Sequence, residues 1–319
     1  MRPLIGMFPD AAHPDVLVGL GAVDDAAVYR LGGGRVAVVT LDFFPPVVDD
    51  AADFGAIAAA NAMSDVWAMG ADPVLALNIA LFPADMPPHV GARILEGAAL
   101  QVRSAGAVIA GGHTMDNKSP VFGMAVVGIG TEDTLMTKGG LKPGHKLVLT
   151  KPIGSGLLTT ANKRGLLSQD GLAPVVAAMR QLNGAAAQAG RAHGVRSATD
   201  ITGFGLAGHM LEMLEPSGVG AALSFDAIPL LPQAGRWAQE GTFAGGAFRN
   251  QGYYQPKVGF TDALDEASRM LLFDPQTSGG LLMAVAPDRL DSLLAALTPH
   301  HPQAACIGEV VDEAGITVA

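Results

Sequence analysis

The sequence is poor in cysteine, in aromatic side chains and in charge. Cys306 is the only cysteine among 319 residues, which excludes a disulfide framework and any metal site built from several thiolates. A single thiol fits a reducing cytoplasm. Aromatic residues make up 5% and charged residues 16%, whereas 49% of the residues are hydrophobic. This composition excludes a disordered or fibrous chain and predicts a large core of small aliphatic side chains.

Long apolar runs and basic runs are also absent from the sequence. The most apolar stretch, Phe54 to Phe82, is interrupted by Asn61, Asp65 and Asp72, so it contains no run of about 18 apolar residues that could span a membrane. The N-terminus is a poor match to a signal peptide. Lys and Arg total 20 against 30 Asp and Glu, a net charge of -10, which disfavours a nucleic-acid partner. We therefore expect a soluble cytoplasmic protein with no membrane or nucleic-acid partner.

Strand and helix patterns alternate along the chain, which predicts an α/β or α+β layer architecture. The length predicts two domains. We place their boundary at the loop Thr131 to Gly144, so that the domains are residues 1–145 and 146–319. The predicted strands are Val36–Thr40, Val74–Leu81, Ala107–Ala110, Val121–Ile129, Lys146–Thr150, Ala221–Phe225, Gly280–Ala286, Ala305–Gly308 and Gly315–Val318. The predicted helices are Asp53–Met69 with an aspartate N-cap, His89–Ser104, Gly156–Arg164, Leu172–Ala187 and Gly205–Leu214.

Two glycine motifs resemble phosphate-binding loops but match them poorly. Gly139 to Lys146 lacks the Lys and Ser/Thr positions of a P-loop and precedes a strand instead of following one. Gly203-Phe-Gly205-Leu-Ala-Gly208 has the spacing of a dinucleotide fingerprint, but the polar segment before it does not look like a buried parallel strand. A turn followed by a helix N-terminus is the better interpretation of this second motif.

Several aspartates stand in apolar surroundings, where a carboxylate needs a partner or a cation. Asp24 and Asp25 precede an apolar segment, Asp42 follows a strand, Asp65 lies inside an apolar helix and Asp200 precedes the Gly203 turn. Oxygen ligands of this kind suit Mg²⁺, which also takes water and phosphate oxygens. The alternative is that these residues are helix caps and turn residues. Spacing alone does not show whether they converge.

Two other side chains have chemistry of interest. His113 follows Gly111 and Gly112 after an apolar stretch, and a loop at the end of a strand is a frequent functional position. A capped or solvent-facing histidine is equally consistent with the pattern. Cys306 has no activating neighbour in the sequence, so we interpret it as a buried structural thiol.

A series of distinct motifs stands in a specific order along nearly the whole chain. They are Gly21-Ala-Val-Asp24-Asp25-Ala-Ala-Val28, Thr40-Leu-Asp42-Phe-Phe44, Asp53-Phe-Gly55, Ala59-Ala-Asn61-Ala-Met-Ser64-Asp65-Val-Trp-Ala-Met-Gly70, Ala110-Gly-Gly112-His113-Thr-Met-Asp116, Thr150-Lys-Pro152-Ile-Gly154, Thr199-Asp200-Ile-Thr-Gly203-Phe-Gly205, Arg249-Asn250 and Asp274-Pro-Gln-Thr277-Ser-Gly-Gly280. In this order and spacing the chain resembles the selenophosphate synthetases (selenide, water dikinases). The motifs Thr199 to Gly205 and Asp274 to Gly280 together separate this family from the aminoimidazole ribonucleotide synthetases and thiamine-monophosphate kinases.

The resemblance implies an α+β fold of the aminoimidazole ribonucleotide synthetase-like type. Its N-terminal domain would hold a mixed sheet that pairs with a second copy in a homodimer, and its C-terminal domain would also be α+β. The implied reaction makes selenophosphate from selenide and ATP, with release of AMP and phosphate. The alternatives are another small-molecule kinase or ATP-dependent synthetase of the same superfamily, or a non-catalytic ATP-binding paralogue.

The resemblance also implies the positions of the ligands. By position, Asp25, Asp65 and Asp200 match Mg²⁺ ligands of the family. Asp24, Asp42 and Asp65 fall at the ATP site. Residues Gly111, Gly112 and His113 match a loop that contacts ATP from the partner subunit. No direct role is assigned to Asn61 or Thr202.

One family feature has no match in this sequence. The family carries a glycine-rich N-terminal segment with a reactive Cys or selenocysteine, followed three residues later by a catalytic Lys. Here no Lys occurs before Lys118. We expect the missing segment just upstream of Met1, where a UGA selenocysteine codon read as a stop would give this chain; a deliberate truncation and a natural non-catalytic paralogue are the alternatives. The chain as given is then expected to bind Mg-ATP and to make little selenophosphate.

Overall fold

The computed structural model describes residues 13–21 and 24–319 of the chain. Two β-sheets and ten α-helices account for most of these residues. The strands are β1 (Val16–Val18), β2 (Ala27–Gly32), β3 (Arg35–Phe44), β4 (Asp72–Phe82), β5 (Val108–Asp116), β6 (Val121–Thr131), β7 (Lys146–Leu149), β8 (Ser197–Asp200), β9 (Gly220–Leu223), β10 (Val258–Phe260), β11 (Leu281–Val285), β12 (Ala305–Val311) and β13 (Gly315–Val318). The helices are α1 (Ala51–Ala68), α2 (Pro88–Ser104), α3 (Ser155–Lys163), α4 (Gln169–Arg180), α5 (Gly184–Ala192), α6 (Gly205–Leu214), α7 (Ala234–Gln239), α8 (Gly245–Tyr254), α9 (Glu266–Leu271) and α10 (Leu290–Leu297).

Both sheets contain parallel and antiparallel pairs, as expected for an α+β fold. The first has the order β1-β2-β3-β6-β4-β5, and only its edge pair β4–β5 is parallel. The second has the order β10-β13-β9-β12-β7-β11-β8, with β13 parallel to both of its neighbours. The first sheet ends at Thr131 and the second begins at Lys146. The predicted α+β class is confirmed, and the exact domain limits stay a prediction.

Helix α1 lies at the centre of the molecule and carries the polar residues Asn61, Ser64 and Asp65. Fourteen of its 18 residues are buried. Helix α2 packs closely on α1. This close contact requires glycine at Gly55 and Gly97, because a side chain at either position would run into the backbone of the opposite helix, at Ile94 and Ala52 respectively. The prediction of an N-cap at the start of this helix was one turn late. Asp50 caps α1 by accepting hydrogen bonds from the backbone N–H groups of Ala52 and Asp53.

Other predicted boundaries were also wrong, and two of these errors bear on the site. The predicted helix Leu172–Ala187 is two helices, α4 and α5, because Gln181 takes an extended conformation. That break frees the carbonyl of Gln181 to accept a hydrogen bond of 2.6 Å from the ammonium of Lys151. The predicted strand Val36–Thr40 is too short: β3 continues to Phe44 and therefore contains Asp42.

The segment before the Gly203 turn is a buried strand despite its polar sequence. All four residues of β8 are buried, and they pair antiparallel with β11. A dinucleotide-binding fold needs a parallel strand at this point, so the antiparallel ladder argues against that fingerprint. Helix α6 begins at Gly205, as predicted, where φ is +72°.

The outer face of the first sheet is apolar and exposed. Large hydrophobic side chains on its strands are between 41% and 59% exposed. They are Tyr29, Leu31, Val39, Leu41, Phe43, Val74, Leu77, Val108 and Met115. A contiguous apolar surface of this kind is typical of a protein-protein contact. Within the described part of the chain, no helix is both long and apolar enough to cross a membrane.

Candidate active site

Five aspartates from four different elements converge between the two sheets. Asp24 and Asp25 lie just before β2, Asp42 lies in β3, Asp65 in α1 and Asp200 at the end of β8. Their charges act on one another: Asp200, Asp42 and Asp25 each raise the pKa of Asp65. The structure thus brings together the acids that spacing alone could not place side by side.

The polar face of α1 holds the carboxylates that come from the first sheet. Thr40 donates its hydroxyl to Oδ2 of Asp65 at 2.5 Å. Asn61 donates its amide to Oδ2 of Asp42 at 2.7 Å. Asn61 is itself fixed from the second domain, because its Oδ1 accepts the backbone N–H of Ser278 at 2.9 Å. The orientation of Asp42 therefore depends on a contact between the domains.

Asp25 is held by residues that follow the first sheet in the chain. Its Oδ1 accepts the hydroxyl of Thr199 at 2.9 Å and lies 2.8 Å from the ammonium of Lys138. The backbone N–H of Lys138 also donates to Oδ2 of Asp24 at 3.3 Å. Asp200 accepts a hydrogen bond from the side chain of Ser64. Each acid of the cluster except Asp24 thus has a polar side chain that orients it.

Burial and mutual repulsion make ionisation costly for four of these acids. Burial raises the pKa of Asp24 to about 7 and those of Asp42 and Asp200 to about 6, and neighbouring carboxylates add to each increase. The pKa of Asp65 lies well above its ordinary value for the same two reasons. A group of acids with raised pKa values in a cleft is typical of a functional site, and a bound cation would relieve the repulsion.

The donor set fits a hydrated divalent cation and does not form a closed protein cage. Among residues 13–21 and 24–319, no three His, Cys, Asp or Glu side chains are arranged to hold a metal ion by themselves. However, Oδ2 of Asp25 and Oδ2 of Asp200 are buried without a hydrogen-bond partner. Free carboxylate oxygens of this kind suit Mg²⁺, which takes few protein ligands and completes its shell with water and phosphate oxygens.

Gly111, Gly112 and His113 lie apart from the acids within one chain. The prediction that His113 occupies a loop was wrong, since all three residues are exposed in the edge strand β5. Strand pairing places Asp42, Met124, Asn78 and Gly112 in one row across the sheet. Three strand spacings of about 4.8 Å put the backbone of Gly112 roughly 14 Å from that of Asp42. The edge position leaves this segment accessible to a second molecule.

The motif from Asp274 to Gly280 supports the site without being part of the acid cluster. Oε1 of Gln276 accepts the backbone N–H groups of Gly154 and Ser155, both at 2.9 Å. Oδ2 of Asp274 accepts the N–H of Leu157 at 3.1 Å. These two side chains cap the first turn of α3. The motif therefore fixes the loop whose Ser278 N–H orients Asn61.

Sequence reasoning missed Lys138, Thr199 and Asn183. Asn183 donates to the hydroxyl of Ser64 at 2.8 Å and to the carbonyl of Gly279 at 2.9 Å. Thr199 lies inside a recognised motif, which was the one available indication of its role. Lys138 lies in a connecting segment without a periodic pattern, and Asn183 lies inside the stretch Leu172–Ala187 that was predicted as one helix. Cys306 is only half-buried in β12, so the prediction of a fully buried thiol was wrong.

Both halves of the chain match family models of one class of protein. Family models of the AIR synthase related proteins match the chain, the N-terminal domain over residues 23–130 and the C-terminal domain over residues 142–319. The solved structure described as AaThiL complexed with AMPPCP and TMP has a similar fold, with a TM-score of 0.70 and 16% identity. That match covers 92% of this chain and 87% of the other. The chain is an AIR synthase-like protein.

Two selenide, water dikinases are far more similar to the chain in sequence. Selenide, water dikinase of Carboxydothermus hydrogenoformans is 43% identical over 315 residues, covering 99% of this chain and 92% of the relative. The enzyme of the same name from Pelobacter propionicus is 45% identical over 302 residues, covering 94% and 87%. The chain belongs to the selenide, water dikinase family, a family of phosphotransferases.

Proposed function

We propose that this chain forms the ATP- and Mg²⁺-binding body of an enzyme that makes selenophosphate from selenide and ATP. The observation that carries the proposal is the convergence of acids from four elements at the positions that match the family motifs. Asp25, Asp65 and Asp200 are the proposed Mg²⁺ ligands. Asp24, Asp42 and Asp65 are the proposed acids of the nucleotide site.

The chemistry of phosphoryl transfer explains why such a cluster is needed. Bound Mg²⁺ would supply neutralisation of the phosphate charge, which is the main electrostatic demand of the reaction. The chain has no Walker motif, so its carboxylates take over the task of holding cations. Thr40, Asn61, Ser64 and Thr199 then orient these carboxylates, and burial between the domains limits access of water.

We infer that the functional unit is a homodimer formed through the outer face of the first sheet. Exposed Leu41 and Phe43 lie at the middle of that apolar face, and a second copy is the partner that would cover it. The pairing would bring Gly111, Gly112 and His113 of one subunit toward the nucleotide of the other. A cytoplasmic location is supported by the single cysteine.

The reactive Cys or selenocysteine and the Lys that the family resemblance implies have no match within these 319 residues. The family reaction depends on those two groups, so the 319 residues by themselves are expected to turn over little selenide. The test is selenide-dependent ATP turnover, followed by ³¹P NMR of selenophosphate and by AMP formation. The 319-residue polypeptide should show little turnover, and a fusion with the N-terminal segment of the Carboxydothermus hydrogenoformans relative should restore it.

The same assay separates the other candidate functions. ATP turnover that is independent of selenide in both proteins would favour another kinase or synthetase of the superfamily. Absence of turnover in the fusion, with ATP binding intact, would favour a non-catalytic paralogue. Robust selenophosphate production by the 319-residue polypeptide would contradict the expected need for a reactive Cys or selenocysteine and a Lys that have no match in this sequence.

A further inference from the structure

The acid cluster contains a buried lysine that the proposed mechanism does not use. Lys138 is 4% exposed. In the described part of the chain, only Lys138 and Lys151 are buried among all lysines and arginines. Lysine is rarely buried unless it is paired. The pairing of Lys138 is therefore the feature that explains its position.

Lys138 bridges two carboxylates from opposite sides of the site. Its ammonium lies 2.8 Å from Oδ1 of Asp25 and 2.8 Å from Oε2 of Glu212 in α6. Both carboxylate side chains are nearly inaccessible, with 3% and 11% of their surface exposed. Lys138 and His209 together lower the pKa of Glu212 to about 2 against the effect of burial, so Glu212 is a permanent anion.

The hydrogen bonds at Asp25 are unequally divided between its two oxygens. Oδ1 is bound both by Lys138 and by the hydroxyl of Thr199, whereas Oδ2 is buried without a partner. An isolated carboxylate could rotate to pair either oxygen. Two donors on one oxygen fix the group so that the other oxygen remains available to a cation.

The backbone around Lys138 is hydrogen-bonded to strand β8, which carries the proposed metal ligand Asp200. The N–H of Thr137 donates to the carbonyl of Arg196 at 3.0 Å, and the carbonyl of Thr137 accepts the N–H of Ala198 at 3.1 Å. Ser197 of β8 also donates its hydroxyl to the carbonyl of Gly139. Since β8 ends in Asp200, Lys138 and Asp200 belong to one rigid unit. On the other side of Glu212, Nδ1 of His209 lies 3.4 Å from Oε2.

We propose that Lys138 is a positioning residue for the metal site. It connects Asp25 to the unit that carries Asp200, and it holds Oδ1 of Asp25 so that Oδ2 faces the cation. This proposal rests on the proposed Mg²⁺ site, and the experiment below distinguishes the failure of one from the failure of the other.

The experiment measures Mn²⁺ binding in the presence of AMPPCP by water-proton relaxation, so it requires no turnover. The variants are Lys138→Met, Lys138→Arg and the matched control Lys142→Met, which changes an exposed lysine of the same connecting segment. Loss of a group that orients a metal ligand typically costs about 10- to 100-fold in metal affinity. We expect that loss in Lys138→Met, recovery of most of the affinity in Lys138→Arg and no change in the control.

The other outcomes separate failure of the positioning role from failure of the metal site. Unchanged or tighter Mn²⁺ binding in Lys138→Met, with binding lost in Asp25→Asn, would overturn the positioning role and leave the metal site standing. Absence of a ternary complex in the wild type would overturn the metal site itself. If Lys138→Met does not fold by circular dichroism, Glu212→Gln tests the same link, because it keeps the shape and releases the far end of Lys138. Weaker Mn²⁺ binding in that variant supports the proposal, and wild-type affinity overturns it.

Discussion

Replacing Asp274 by Asn should change how the stability of the protein depends on pH. Asp274 is completely buried. Its carboxylate caps α3 through the N–H of Leu157 and accepts the amide of Gln276 at 2.9 Å. Burial nevertheless raises the pKa of this group to about 7. The folded protein therefore resists ionisation of a group that ionises freely in the unfolded chain.

The size of the effect follows from the two pKa values. A carboxyl group whose pKa is higher in the folded state destabilises the fold increasingly as the pH rises from about 3.8 to about 7. At about 1.4 kcal/mol per pH unit, the cost at pH 8 is ~4 kcal/mol. Roughly 2.5 kcal/mol of this cost accumulates between pH 5 and pH 8. Asparagine cannot ionise, so the variant escapes this part of the loss.

The assay is urea unfolding of the wild type and of Asp274→Asn at pH 5 and pH 8 without metal. Replacing one carboxyl oxygen by an amide nitrogen also changes the unfolding free energy, but this change is the same at both pH values. The difference in unfolding free energy between the two proteins should therefore shift in favour of the variant by about 2.5 kcal/mol from pH 5 to pH 8. The control is Asp85→Asn at an exposed position. A difference that stays constant with pH for Asp274→Asn would refute the reasoning.

Two further predictions concern the inferred dimer. Phe43→Glu puts a charge at the centre of the exposed apolar face, so light scattering should show a monomer, whereas the control Leu166→Glu at a similarly exposed position should remain dimeric. A dimeric Phe43→Glu protein would exclude this face as the interface. His113→Ala should weaken ATP binding in the dimer but leave binding by the Phe43→Glu monomer unchanged, as measured by calorimetry; equal effects in both backgrounds would contradict a role in the partner's site.

Regular elements were predictable from the sequence where one local pattern dominates. Helix α6 and strand β13 have the predicted bounds, Gly205–Leu214 and Gly315–Val318. Strand β8 was not recognised, because Ser, Thr and Asp reduce its hydrophobicity even though all four residues are buried. Their polar side chains point to partners that are distant in sequence, and only the folded chain brings those partners close.

The same limit applies to the site. Asp65 was identifiable as an acid in an apolar helix, and Asp25 and Asp200 as members of recognisable motifs. The bond from Lys138 to Asp25 joins residues more than 100 positions apart, and neither has a neighbour that indicates the other. The Asp274–Gly280 motif was recognisable as a pattern, but its role as a cap for α3 depends on three-dimensional contacts.

Calorimetric titration of Mg-ATP into the wild type and into Asp65→Asn tests the proposed site most directly. Asparagine keeps the shape of the side chain and an oxygen that can accept the hydroxyl of Thr40, but it removes the charge at the centre of the cluster. The wild type should bind ATP only when Mg²⁺ is present, and the variant should bind at least about tenfold more weakly, a loss of roughly 1.4 kcal/mol or more. Binding by Asp65→Asn with wild-type affinity and metal dependence would contradict the assignment of these acids to the metal and nucleotide site.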